Sequence, residues 1–79
     1  MLNYKECSID DFNLAMSQKN ADVKTISDAH LYILYTKFKA DSSRCCYAGT
    51  SYAVGLGIDS RNKANIFKSE LQRRGIRIV

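Results

Sequence analysis

The spacing of apolar residues along the 79-residue chain predicts three helices. In the first, Ile9, Phe12 and Met16 fall on one side of a helix, and Ser8, three residues before Asp11, is placed to cap its start. We expect this helix to end near residue 20, because the polar residues 20–24 that follow indicate a connection.

The second helix has the clearest pattern. Ser27 can cap it, and Asp28 in its first turn suits the helix dipole. The apolar residues that follow have the i, i+3, i+4, i+7 spacing of a stripe that faces a core. These residues are Leu31, Leu34, Tyr35 and Phe38. The polar residues 41–43 predict a loop after this helix.

The segment 44–58 allows two interpretations. Large residues alternate with small ones from Tyr52 to Ile58, which is typical of a half-buried strand. The same segment fits a short helix that ends at Gly57, where glycine would take a left-handed backbone conformation. Periodicity does not choose between helix and strand.

The third helix is predicted from Asp59 to Arg74, with Gly75 as its stop and a short strand at residues 76–79. Its apolar arc consists of Ala64, Phe67 and Leu71. A second arc, roughly opposite, consists of Arg61, Asn65, Lys68 and Gln72. The second arc predicts an exposed helix face.

The stretch RCCYAGTSYAVGLGIDSRNKANIFKSELQRRGIRIV, residues 44–79, resembles the helix-turn-helix half of winged-helix DNA-binding domains of the replication-initiator and repressor type. The resemblance lies in spacing, since Ala53 stands four residues before Gly57 and Leu71 stands four residues before Gly75. In that family the small residue lets two helices approach closely and the glycine makes the tight turn between them. The resemblance therefore implies structural turn roles for Ala53, Gly57 and Gly75.

The resemblance covers residues 27–79 and implies a mainly α fold. Its helix-turn-helix core would carry a short two-stranded β element, formed by residues 44–46 and 76–79. The wing would be truncated or supplied by a partner, because the chain ends at Val79. Residues 1–26 would be a helical extension of one domain, residues 1–79. The alternative fold is an α+β sandwich in which residues 46–58 form a hairpin.

Charge is distributed unevenly along the chain. Residues 1–36 carry a net charge of −2, residues 37–60 of +1 and residues 61–79 of +5. Such polarisation indicates an anionic partner. Together with the resemblance, it predicts a small sequence-specific regulator that places the Asp59–Arg74 helix in the major groove of double-stranded DNA, as a homodimer on a two-fold site.

The predicted DNA contacts follow from side-chain chemistry. Arginine can donate two hydrogen bonds to guanine, and asparagine can pair bidentately with adenine. Base contacts are therefore assigned to Arg61, Asn65, Lys68 and Gln72. Contacts to phosphate, which give a salt-dependent and sequence-independent share of affinity, are assigned to Lys63, Arg73, Arg74 and Arg77.

The alternative function is a protein-binding adaptor or inhibitor that presents the basic helix to an acidic protein partner. Tyrosine is favoured at protein interfaces because it combines a large apolar area with a polar tip. The anchors of such an interface would be Tyr32, Tyr35, Tyr47 and Tyr52.

No enzyme, metal or cofactor is indicated. Cys7, Cys45 and Cys46 lack the Cys-x-x-Cys spacing of a metal site, and His30 is the only histidine. The Gly55-Leu-Gly57 pair lacks the third glycine of a dinucleotide-binding loop. No segment has the length of a membrane span or the pattern of a signal peptide, so we expect no membrane partner and a cytoplasmic location with free thiols.

Overall fold

Helices account for all the regular secondary structure in the described part of the chain. The computed structural model describes residues 2–46 and 51–78, and it describes side chains at residues 2–42 and 59–78. It contains α1 (Ile9–Ser17), a 3₁₀ turn (Val23–Thr25), α2 (Asp28–Cys46) and α3 (Ser51–Arg73). No strand is present in these residues, so the predicted two-stranded β element and the alternative sandwich with a hairpin at 46–58 are both wrong.

Capping serines set the starts of α1 and α2, as predicted. The Oγ atom of Ser8 accepts a hydrogen bond from the Asp11 N–H at 3.1 Å, and that of Ser27 accepts one from the His30 N–H at 3.4 Å. Each bond satisfies one of the backbone donors that a helix start leaves unpaired. The first helix ends at Ser17, somewhat before the predicted residue 20.

The second helix continues through residues 41–43, where a loop was predicted. The Lys37 ammonium pairs with the Asp41 carboxylate at 2.8 Å across one helical turn, and Ser42 is buried. The loop prediction is wrong because a short polar run does not by itself end a helix. Asp41 is paired with Lys37 along the helix, and Ser42 is buried by packing.

The third helix begins at Ser51 and runs without interruption to Arg73. Gly55 and Gly57 lie inside it, so the predicted tight turn at Gly57, with Ala53 as its small residue, is wrong. A glycine in a helix costs only about 1 kcal/mol relative to alanine. Once the buried residues farther along hold the helix, each added residue gains a backbone hydrogen bond, which offsets this cost.

At its other end α3 stops at the predicted glycine. Gly75 has a φ of 77°, in the left-handed region. The Ile76 N–H donates to the Leu71 carbonyl and the Gly75 N–H donates to the Gln72 carbonyl, both at 3.0 Å. This pair of bonds is the Schellman motif, which satisfies carbonyl groups at a helix end.

Residues 76–78 form no strand, although they alternate in burial. Ile76 and Ile78 pack against the core, and Arg77 between them is exposed. The predicted partner strand, residues 44–46, is the last turn of α2. The alternation therefore comes from a non-helical tail whose two isoleucines lie on the core.

The antiparallel pair α2 and α3 encloses most of the core. The rings of Phe38 and Phe67 pack with centroids 5.7 Å apart, and Asp28 at the start of α2 contacts Arg74 just after α3. The largest fully buried side chains are Leu31, Leu34, Phe67 and Leu71. The predicted apolar arc of α3, Ala64, Phe67 and Leu71, is confirmed as buried. Ala15 and Ile26 join the same cluster, so α1 and the 3₁₀ segment close one side of the core.

Candidate functional site

The guanidinium group of Arg74, a predicted phosphate contact, lies inside the fold. Its side chain is 16% exposed, and all five of its N–H donors have partners within 3.4 Å. The partners are the carbonyl oxygens of Val23, Lys24 and Ile26 and the carboxylates of Asp28 and Glu70. These bonds join the end of α3 to the 3₁₀ turn and to the start of α2.

The Glu70 carboxylate, which is 6% exposed, also binds Arg73. The Nε and Nη2 atoms of Arg73 donate to it at 2.9 and 2.6 Å, and Arg74 Nε donates at 3.0 Å. The hydrogen bond from Arg73 and then that from Arg74 lower the pKa of Glu70 from 4.5 to about 2, although burial opposes this shift. Glu70 in turn raises the pKa of Arg73. The charge of this second predicted phosphate contact is therefore compensated by a carboxylate.

Lys63, the third predicted phosphate contact, is half-buried. Its ammonium donates to the side-chain oxygen of Asn20 at 2.7 Å and lies 5.7 Å from the centre of the Phe38 ring. It links α3 to the segment that follows α1. Arg77, the fourth, is exposed in the tail beyond Gly75.

The four predicted base-contact residues lie together on one exposed face of α3. These residues are Arg61, Asn65, Lys68 and Gln72. The face lies beside the contact between α3 and α2, because Arg61, Asn65 and Lys68 line a groove that the two helices share. The prediction that this face lies roughly opposite the apolar arc is wrong, because a spacing of 100° per residue places the two arcs only about 90° apart.

This α2–α3 groove has a volume of 190 Å³. It is lined by Tyr35, Lys39 and Ser42 of α2 and by Arg61, Ala64, Asn65 and Lys68 of α3. Three of these residues are cations, and none of the lining residues is a carboxylate. Like charges around a concave surface focus a positive potential that raises the local concentration of anions.

Lys39 is the member of this groove that sequence reasoning missed. It is exposed, and its ammonium lies 5.7 Å from the centre of the Tyr35 ring, beside the groove. Tyr35, Lys39 and Ser42 recur at the i, i+4, i+7 spacing of one helix face, next to the core stripe. That spacing was visible in the sequence, but which residues of α3 it meets depends on how the helices pack.

A larger cavity of 410 Å³ lies on another side of α3. It is lined by Val23, Asn65, Ile66, Ser69, Glu70 and Arg73. Its two charged residues, Glu70 and Arg73, are paired with each other. This cavity therefore offers an incoming ligand no uncompensated charge, in contrast to the α2–α3 groove.

No family model matches the chain, and neither a curated protein nor a solved structure matches it. Within residues 2–46 and 51–78, no three His, Cys, Asp or Glu side chains are grouped so that they could hold a metal ion. In the same residues, no helix has both the length and the apolar character needed to cross a membrane.

Proposed function

We propose that this protein binds double-stranded DNA through the exposed face of α3. The observation that supports the proposal is the division among the C-terminal cations. Lys63, Arg73 and Arg74 make contacts within the fold, whereas Arg61 and Lys68 are exposed together on one face. The fold thus leaves available the cations that sit beside the polar side chains Asn65 and Gln72.

The dimensions and chemistry of this face suit a duplex. From Arg61 to Gln72 the helix rises about 16.5 Å, and the major groove, about 12 Å wide, admits an α-helix, so several side chains of this face can reach the DNA at once. Asn65 and Gln72 can each pair bidentately with adenine, so the face has groups for base recognition beside its cations. We therefore propose that the protein binds specific DNA sequences and acts as a regulator by occupying the sites that it binds.

The exposed cations of this face determine how binding depends on salt. Arg61 and Lys68 can meet the DNA backbone while the polar side chains beside them meet base edges. Each phosphate that is neutralised contributes about −0.9 to the slope of log affinity against log salt. Binding should consequently weaken as salt rises.

A salt titration with labelled duplexes, one of selected and one of random sequence, tests the proposal. Wild type should prefer the selected duplex, and Arg61→Gln should weaken binding and reduce the salt slope by up to about 0.9. Lys5→Gln is the matched control, because Lys5 is an exposed cation beside Tyr4, away from α3. Equal losses in both variants, or affinity that does not change with salt, would contradict DNA binding through α3.

The protein-binding alternative has less support in the structure. Tyr35 is 5% exposed and Tyr32 packs against the core, so two of its four predicted anchors serve the fold. Tyr47 and the side chain of Tyr52 lie outside the described residues. Sedimentation of the free and DNA-bound protein tests the predicted homodimer.

A further inference from the structure

The α2–α3 groove has the size of a site for a small anionic group. Its volume of 190 Å³ is below the roughly 300–1,000 Å³ of cavities that hold cofactors and drug-sized ligands. It lies between two packed helices, whose axes are typically about 8–10 Å apart, so its width is set by the fold. A phosphate group fits within this volume, and the three cations that line the groove favour an anion over a neutral base.

The register of the helices brings the three cations of the groove around one place. Asp28 contacts Arg74 and Phe38 packs on Phe67, so an antiparallel alignment sets Lys39 across from the middle of the stretch between Arg61 and Lys68. Lysine and arginine have long, flexible side chains that can converge on a common ligand. Among the described residues that line the groove, none is a carboxylate that would compete for them.

We propose that the α2–α3 groove holds one phosphate group of the DNA backbone, and that Lys39 on α2 is a further DNA-contacting residue. The inference rests on the proposed function and adds a second helix to the binding surface. Arg61 supplies a planar fork suited to two phosphate oxygens, while Lys39 and Lys68 supply point charges. A phosphate fixed here sets the register of the duplex, and thereby which bases meet Asn65 and Gln72.

Duplex binding by Lys39 variants gives the first test. Lys39→Gln should weaken binding to all duplexes by about tenfold and reduce the salt slope by up to about 0.9, the share of one phosphate. Lys39→Arg keeps the charge and should retain most of the affinity, and Lys5→Gln should leave it nearly unchanged. Far-ultraviolet circular dichroism and thermal melting establish that each variant is folded as wild type. If Lys39→Gln behaves like Lys5→Gln while Arg61→Gln still loses affinity, the phosphate site is wrong and the proposed function stands.

Inorganic phosphate gives the second test, because it probes the groove without DNA. In ¹⁵N-labelled protein, replacing chloride with phosphate at constant ionic strength should shift the amide signals of residues 39, 61, 65 and 68, and Lys39→Gln should abolish these shifts. Shifts spread evenly over the exposed lysines would contradict a defined site. Localised shifts in a protein that binds no duplex would keep the phosphate site but overturn its assignment to DNA, and with it the proposed function.

Discussion

The guanidinium of Arg74, just after α3, lies 2.6 Å from the carboxylate of Asp28, the first residue of α2. The two residues are 46 positions apart in sequence, so this contact and the neighbouring bonds to backbone carbonyls close the helical pair at one end. Asp28 is 60% exposed, and exposed ion pairs are screened by water. The bonds from Arg74 to the part-buried carbonyls of Val23 and Ile26 are therefore the more important part of the contact.

Removing the Arg74 side chain should destabilise the fold more than removing Arg73 or Asp28. Arg74→Ala leaves the Val23 and Ile26 carbonyls and the Glu70 carboxylate without this donor, whereas Arg73→Ala removes a mostly exposed group. Thermal melts should rank the midpoints as wild type, then Arg73→Ala, then Arg74→Ala. Arg77→Ala, in the exposed tail, should melt like wild type. A midpoint for Arg74→Ala equal to that of Arg77→Ala would show that the cluster is not needed for stability.

The same cluster predicts how stability depends on pH. The pKa of Glu70 is about 2 in the folded protein against an ordinary value of 4.5, so the folded state binds fewer protons between these values. Its contribution is therefore fully present above pH 4.5 and is lost as the pH falls toward 2. Glu70→Gln removes this titration. The difference in melting midpoint between wild type and Glu70→Gln should shrink as the solution is acidified, and a constant difference across this range would contradict the pKa shift.

Sequence predicted the structure where the signal is local. The caps at Ser8 and Ser27 and the stop at Gly75 each depend on a few neighbouring residues, and each lies where the chain pattern placed it. The segment from Ser51 to Ile58 was ambiguous because its alternation of large and small residues fits both a strand and a helix. The segment is helical because it continues α3, which the buried Phe67 and Leu71 anchor to the core.

The candidate site was predicted only in part, for a related reason. The exposed face of α3 could be found on a helical wheel, because it belongs to one element. The pairing of Arg73 and Arg74 with Glu70 follows the i, i+3 and i, i+4 spacings and could have been anticipated. The approach of Lys39 to Arg61 depends on the packing of two helices, which a single sequence does not specify.

Gly75 at the end of α3 and Gly57 inside it should respond to alanine in opposite directions. Gly75 has a left-handed backbone, and an added Cβ would meet no atom within 4 Å, so Gly75→Ala should cost only backbone strain, about 1–2 kcal/mol. Gly57 lies within α3, where Gly57→Ala should raise helix propensity and stabilise by about 0.5–1 kcal/mol. Urea denaturation measures both changes. Destabilisation by both substitutions would favour a turn at Gly57 and contradict the continuous helix.

Truncation of a leucine in the core tests the packing of α2 against α3. Leu34 is 0% exposed, so Leu34→Ala should destabilise by about 2–5 kcal/mol through lost burial and the cavity left behind. Leu14 on α1 is 52% exposed, and Leu14→Ala should change stability by no more than about 0.5 kcal/mol. Chemical denaturation of the two variants makes the comparison. Similar losses at the two positions would contradict the assignment of Leu34 to the side of α2 that faces the core.

Asn65 allows base recognition to be separated from charge. Because its side chain is neutral, Asn65→Ala should leave the salt slope of duplex binding unchanged. It should nevertheless reduce discrimination between the selected and random duplexes by about 1–3 kcal/mol, the range for one bidentate base contact. Asn13→Ala, an exposed asparagine on α1, is the matched control and should alter neither quantity. If Asn65→Ala kept full discrimination while Arg61→Gln and Lys39→Gln still lowered affinity, the protein would bind the DNA backbone without reading its sequence through this residue.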